Sequence, residues 1–404
     1  MYILLNGMFC LKGSVLTKEI NLSNLLTIVI NTKNRPRLLN ASLNYIRYSG
    51  LNAQIIVTDA SPDEIWNINE KSISSLLPKK QFLHIKPIDG RQFPSIIDGL
   101  SKVKTPYSIV CGDDDFFMVD GLKSCVFFLE KNLKFAACTG KIMQFRGIWD
   151  EDLQKWNFAG FRDLTPAQID SDDVCTRLSN FADNIETSSY AVHRSEVIKG
   201  AYLGAREHGF SDDSSLPELA LNSYLLAQGS LGVVNSLFHF WFNPNNKRQG
   251  QDTSLYSDNN SLNWFDKMLS ENYVSNIYAY LNFMMEHIPA KNKTESSKIR
   301  DVIQSVWGKF YFNVSLRRIE EVIDANTEGR WRKKAIMKIS NYITRNNILK
   351  LLTELPRFFR TGIRFGYIQF RMHKNHSEFR VFQKFITKSM IDKSLVPKKI
   401  KCQY

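Results

Sequence analysis

The sequence predicts an α/β chain with a mostly parallel sheet flanked by helices, followed by a basic α-helical C-terminal region. Three observations predict it. Short apolar runs recur at Leu25–Asn31, Gln54–Thr58 and Tyr107–Cys111, as strands buried on both faces require. Helical spacing fills the segments between them. Beyond residue 260 the strand-like runs stop, and long helical stretches carrying Lys and Arg take over.

In chain order, the polar loop Thr32–Arg35 follows the first run. Pro36 opens a helix on which Leu38, Leu39, Leu43 and Ile46 recur, and Gly50 ends it. The run Gln54–Thr58 and the turn Asp59–Asp63 complete a right-handed βαβ unit. Phe82–Ile85 reads as a third short strand, Phe93–Leu100 as a helix and Tyr107–Cys111 as the next parallel strand. Residues 122–130 read as a helix and Phe135–Cys138 as a strand. Residues 145–185, rich in Asp and aromatics, read as irregular. Tyr190–Val192 is a strand candidate and Glu196–Tyr202 a short helix. Leu216–Gln228 is an amphipathic helix stopped by Gly229, and Leu231–Trp241 is a strand. Helices are expected over Trp264–Ile288, Lys298–Ile323 and Arg332–Leu355. This divides the chain into a sheet-bearing domain, 1–254, and a helical basic domain, 255–404.

Composition narrows the function classes. With 404 residues, 43% of them hydrophobic, the chain can bury a large core, so wholesale disorder is excluded. No apolar run reaches the roughly 18–20 residues that span a bilayer. Met1–Gly13 lacks the basic start and cleavage site of a signal peptide. The expected location is therefore cytoplasmic. Six scattered cysteines without a C-x-x-C pair argue against a zinc site or a disulfide scaffold, and Cys111 and Cys125 read as buried small hydrophobes. The net charge of +13 is lopsided: Lys291–Tyr404 holds 26 Lys and Arg against 9 Asp and Glu. That tail either meets an anionic membrane surface or is the solvated face, or dimer surface, of a helical domain. No nucleic-acid-binding motif accompanies it.

The chemistry centres on Asp113-Asp114-Asp115, which follows the strand Tyr107–Cys111 and Gly112. Three adjacent carboxylates beside core-type sequence repel one another and lose solvation. They are either a solvated acidic turn or a cation site, and hard oxygen ligands suit Mg²⁺ or Mn²⁺. In open α/β sheets, ligands gather at the carboxyl ends of strands, where Asn31–Lys33, Asp59 and the triplet all lie. A G-x-G-x-x-G, a P-loop, an EF-hand, a G-x-S-x-G and an H-E-x-x-H are all missing from the sequence.

Thr27–Pro36, Ile55–Ser61 and Asp98-Gly99-Leu100 with Thr105-Pro106-Tyr107 leading to Asp113–Asp115 resemble, in that order, GT-A fold glycosyltransferases of the family-2 type found in bacterial surface-polysaccharide assembly. The resemblance covers residues 25–245. It implies a nucleotide-sugar donor, a glycan or lipid-linked glycan acceptor, and a Mn²⁺ or Mg²⁺ cofactor in an inverting transfer. It implies metal ligation by Asp113, Asp115 and His239, with Asp114 able to replace either acid. Thr32, Lys33, Arg35, Asp59, Asp98, Asp113 and Asp114 would bind the donor. Glu218 would be the catalytic base, with Asp213 and Asp212 as competitors. Each has a plainer reading: Glu218 as a first-turn acid serving the helix dipole, His239 as a core histidine, Lys33, Arg35, Lys247 and Arg248 as solvated loop charges. A tail on the inner membrane face would suit a lipid-linked acceptor. The rival readings are a sugar nucleotidyltransferase, which usually needs a glycine in the loop that Asn31–Pro36 lacks, and a non-catalytic membrane- or glycan-binding scaffold.

Overall fold

The computed structural model describes residues 20–150, 155–183, 190–209, 215–244, 273–288 and 292–326. Strand β1 (Leu26–Thr32) pairs in parallel with β2 (Gln54–Asp59) on one side and β4 (Tyr107–Gly112) on the other, and β3 (Phe82–Ile85) pairs in parallel with β2. This is the predicted parallel half. The other half is mixed. β6 (Phe135–Asp150) runs parallel to β9 (Ser230–Pro244) and antiparallel to β7 (Lys155–Asp163) and β8 (Val192–Arg194), while β5 (Asp115–Phe117) is antiparallel to β9. The strand order is β3-β2-β1-β4-β8-β6-β9-β5, with β7 beside β6.

That order forces a curl. β4 and β5 are joined by only Asp113 and Asp114, yet they stand four strand steps apart in the sheet. Four steps in a flat sheet span about 19 Å, whereas three Cα–Cα links reach at most about 11 Å. The sheet must bend until its β5 end comes round to the carboxyl end of β4 at the acidic turn.

The helices cover both faces because the strands alternate. Ile28, Ile30, Ile55, Val57, Ile109 and Cys111 face one apolar cluster, and Val29, Ile56 and Val110 face the other. The first cluster is closed by α1 (Pro36–Ser49), α2 (Asp63–Leu76) and α4 (Val119–Lys131). Proline starts α1, and Gly50 ends it in the left-handed conformation, φ 68°. The second is closed by α3 (Gln92–Ser101), α5 (Val174–Asp183), α6 (Ser195–Glu207) and α7 (Ser215–Gln228). Also on that face are α8 (Tyr273–His287) and α9 (Lys293–Asn326), which bring Tyr280, Phe283, Met284, Ile303 and Trp307 into the same cluster. Burying one such side chain contributes about 1.5–3 kcal/mol. The C-terminal region thus begins with two helices built into the core of the sheet.

Several expectations change. The described residues of 145–185 are not irregular throughout. β6 runs on to Asp150 and returns as β7, and α5 follows. Aromatic residues favour strands, and the pairing runs as far as Asp150 with Lys155. The turn at Asp59–Asp63 leads into α2, whose first-turn acids Asp63 and Glu64 follow Pro62. The strand expected at Tyr190–Val192 lies at Val192–Arg194, and the helix expected at Glu196–Tyr202 extends to Glu207. The helix expected over Arg332–Leu355, and the start of that over Trp264–Ile288, lie outside the described residues. Among the described residues no helix is long and apolar enough to cross a membrane.

Close packing of α4 on β9 gives a stability prediction. A Cβ on Gly121 would sit 2.2 Å from the Leu237 carbonyl oxygen and 2.7 Å from the Phe238 Cα, both backbone atoms that cannot step aside. Gly121→Ala should therefore lower unfolding stability by about 1–3 kcal/mol in urea titrations. Gly308→Ala on α9, where nothing lies within 4 Å, should raise it by up to about 1 kcal/mol.

Candidate functional site

The carboxyl ends of β1, β2 and β4 lie side by side, with Thr32 opposite Asp59 and Asn31 opposite Gly112. The loop after β1 turns back sharply because Asn34 adopts φ 59°, a left-handed conformation that Asn tolerates, and its N–H donates to Ser61 Oγ at 2.8 Å. This aims Arg35 at the acidic turn. Its guanidinium lies 3.2 Å from Asp113 Oδ1 and 2.7 Å from Asp114 Oδ2. Thr32 Oγ1 donates to Asp113 Oδ2 at 2.5 Å. Asp113 Oδ1 is buried and receives no hydrogen bond, so Arg35 addresses it by charge alone.

Asp115 faces the other way. Its Oδ2 accepts the Gly112 N–H at 2.7 Å, closing the turn, and its Oδ1 lies 2.7 Å from Nε2 of His239 on β9. His239 is fully buried and stacks on Phe117, with Tyr190 alongside. The side chain of Asp114 is a fifth exposed, against none for Asp113 and 2% for Asp115. Asp114 is thus the acid of the triplet that meets solvent.

Electrostatics sorts the carboxylates. Burial pushes Asp113 up to about 7, against the pull of Arg35, and the charge of Asp114 adds to the rise. Asp114 is raised by burial too, with Arg35 opposing and Asp115 adding. One guanidinium does not balance the triplet. Asp59 behaves in the opposite sense. Burial raises it, but hydrogen bonds from His84, Ser61 and Asn69 outweigh burial and hold it below the ordinary carboxylate range. Ser61 N–H donates to Oδ1 at 2.9 Å and Asn69 Nδ2 to Oδ2 at 2.7 Å, while His84 Nε2 lies 3.3 Å from Oδ2. The other ring nitrogen of His84 lies 2.5 Å from Glu70 Oε2, and Trp66 stacks on the ring at 4.4 Å.

The structure brings Thr32, Arg35, Asp113, Asp114, Asp115 and His239 together, with Asp115 and His239 turned toward each other. Asp59 is fully buried. Lys33 Nζ donates to the Gly90 carbonyl at 3.1 Å, and Asp98 accepts the Ile88 N–H, which fixes the loop before α3. Glu218 is exposed in the first turn of α7, where its charge and burial together raise the Tyr202 phenol, burial contributing more. Asp212, Asp213, Lys247 and Arg248 lie outside the described residues. Asn69, Glu70 and His84 are site residues that the sequence reading missed. The signal for them was present in Ser61-Pro62-Asp63-Glu64, a helix start that places Asn69 and Glu70 two turns on.

No family model and no curated protein sequence matches the chain. Among solved structures it is similar to S. aureus TarS, at 11% identity and a TM-score of 0.36 over 72% of this chain and 54% of that one. It thus spans about half the length of that protein. Residues 1–349 of TarS in complex with UDP are similar over 76% of this chain and 93% of that one, at 12% identity and a TM-score of 0.37. The same TarS segment in complex with UDP-GlcNAc is 12% identical, with a TM-score of 0.35 and the same coverage.

The Asp59 cluster predicts a pH signature. A carboxylate held below its unfolded value stabilises the fold above about pH 4, and that stability is lost as pH falls through its folded value. Asp59→Asn should cost about 1–3 kcal/mol near neutrality. Its deficit relative to wild type should shrink steadily in chemical denaturation series taken below pH 4. A deficit independent of pH would show that the charge of Asp59 is not what the cluster holds.

Proposed function

We propose that the chain is a glycosyltransferase that moves a sugar from a nucleotide-sugar donor to a glycan or lipid-linked glycan acceptor, with Mn²⁺ or Mg²⁺ and inversion at the sugar. The observation that carries this reading is that two carboxylates at the strand ends, Asp113 and Asp114, share one guanidinium. The motif order that resembles family-2 GT-A enzymes supports it.

The residues fit a divalent cation of the hard kind. Asp113 offers a buried oxygen without a hydrogen-bond donor, and Asp114 offers a partly exposed carboxylate beside it. No group of three His, Cys, Asp or Glu is poised around a common point among the described residues. Mg²⁺-type sites use one or two carboxylates and take their other ligands from phosphate and water. Asp113 and Asp114 would therefore hold the ion, and Asp115 with His239 would brace the turn from behind. When bound, the ion supplies Lewis-acid stabilisation to the departing nucleoside diphosphate.

The chain supplies the rest. Thr32 fixes the orientation of Asp113 by its hydroxyl, and Arg35 keeps positive charge at the mouth. Asp59, with no exposed surface of its own, anchors the loop along which the nucleotide would lie, between Lys33 and Asp98. Glu218, open to an acceptor, would remove the proton from the attacking hydroxyl. Asp213 is the alternative base. Inversion follows if a single direct displacement occurs at the anomeric carbon. The Lys- and Arg-rich residues 327–404 would draw the chain to an anionic bilayer face carrying a lipid-linked acceptor.

A panel of sugar nucleotides, each with and without Mn²⁺, tests the reading through nucleoside diphosphate release. Release should require the metal. Asp114→Asn should reduce it about 100- to 1,000-fold, the several kcal/mol that a charge clamp contributes. Glu218→Gln should slow turnover about 10²–10⁴-fold without weakening donor binding. Wild-type rates for Asp114→Asn would end the metal-site reading. Separately, the full chain should co-sediment with phosphatidylserine-containing vesicles at low salt and detach as ionic strength rises. No retention at low salt would remove the membrane partner.

A further inference from the structure

We infer that Arg35 is a resident counter-cation, a side chain that occupies the acidic turn until a divalent ion displaces it and that then turns to the donor's phosphates. This rests on the metal-dependent reading above. Three features carry it. First, the guanidinium bridges the two acids that would hold the ion, at 3.2 Å from Asp113 Oδ1 and 2.7 Å from Asp114 Oδ2. A divalent ion and this bridge cannot use those oxygens together. Second, the bridge is uneven. Asp114 receives a direct hydrogen bond, whereas the buried Asp113 Oδ1 receives none. An ion that coordinates Asp113 Oδ1 gives that atom a partner it lacks. Third, the swing is confined to the side chain. Arg35 is the residue before α1, between Asn34 at φ 59° and Pro36, and the Asn34 N–H is tied to Ser61 Oγ. The backbone on both sides is fixed, and the exposed side of the quartet is the Asp114 side.

The charges give the order of events. Asp113 and Asp114 share the one guanidinium. A divalent ion bound by those two acids takes over its role, and Arg35 then turns to a diphosphate, for which its fork geometry is suited. Metal and donor should therefore bind with positive coupling, each tightening the other by the same factor.

Arg35→Gln separates this device from an ordinary phosphate-binding arginine. Titrate Mn²⁺ alone by electron paramagnetic resonance. Then titrate ADP, CDP, GDP and UDP by calorimetry in saturating Mn²⁺. The substitution should tighten Mn²⁺ binding several-fold in the absence of nucleotide, and weaken the best-binding diphosphate about tenfold or more. Effects of opposite sign are the expected result. Arg35→Lys, a point charge that cannot span both acids, should move both in the same directions by less, and it serves where Arg35→Gln does not fold. Unchanged or weaker Mn²⁺ binding in the folded variants would overturn the inference while leaving the metal site standing. A wild-type chain that binds no Mn²⁺ would overturn the metal site and the inference together.

Discussion

The structure turns on one constraint, the confinement of three consecutive carboxylates where the edge strand β5 comes round to the carboxyl end of β4. Desolvated like charges at this spacing are unfavourable unless each has its own partner. The chain supplies different partners from different elements. Thr32 at the end of β1 and Arg35 just beyond it address Asp113, Arg35 also addresses Asp114, and the Gly112 amide and His239 of β9 address Asp115. The loop after β1, the start of α1 and the register of β9 are all needed to keep that turn in place.

Two carboxylates at the same edge show how burial alone fails to predict a role. Asp59 and Asp113 are equally hidden, yet one is held below its ordinary range and the other is driven up to about 7. Asp59 has three donors and needs nothing further. Asp113 has one good donor and a shared guanidinium, with two acids as neighbours. Perturbation by desolvation and like charge, in a place open on one side, marks candidate functional groups.

The parallel half of the sheet was legible in the sequence because strands buried on both faces leave continuous apolar runs. Leu26–Thr32, Gln54–Asp59 and Tyr107–Gly112 are such runs, and the sheet's carboxyl edge followed from them. The mixed half was not, since pairing partners there are set by contacts distant in sequence. Nothing local in Phe135–Asp150 tells that β6 lies between β8 and β9. The acidic turn was visible as a motif, but the separate tasks of its acids were not. Asp115 turns away from Asp113 and Asp114 only once the turn and β5 are built, and the Asp59 cluster depends on α2 bringing Asn69 to Asp59 and Glu70 to His84. The basic tail was legible as charge, and residues 327–404 lie outside the described residues.

The strand order explains why an acid is placed where it contacts its own sheet and not the mouth of the site. β4 and β5 end the two halves, and two residues must bridge them. The sheet stays curled only if β5 is fastened at the far edge, and its fastening is three pairs long, Asp115 to Phe117 against Trp241 to His239. The Asp115–His239 contact adds a buried polar link across that short ladder, and the Gly112 N–H bond fixes the distance between β4 and β5. Loosening it would let the turn open and carry Asp113 away from Thr32 and Arg35. Asp115 and His239 thus link β5 to β9 beside the bend at which Asp113 and Asp114 become neighbours of the loop after β1.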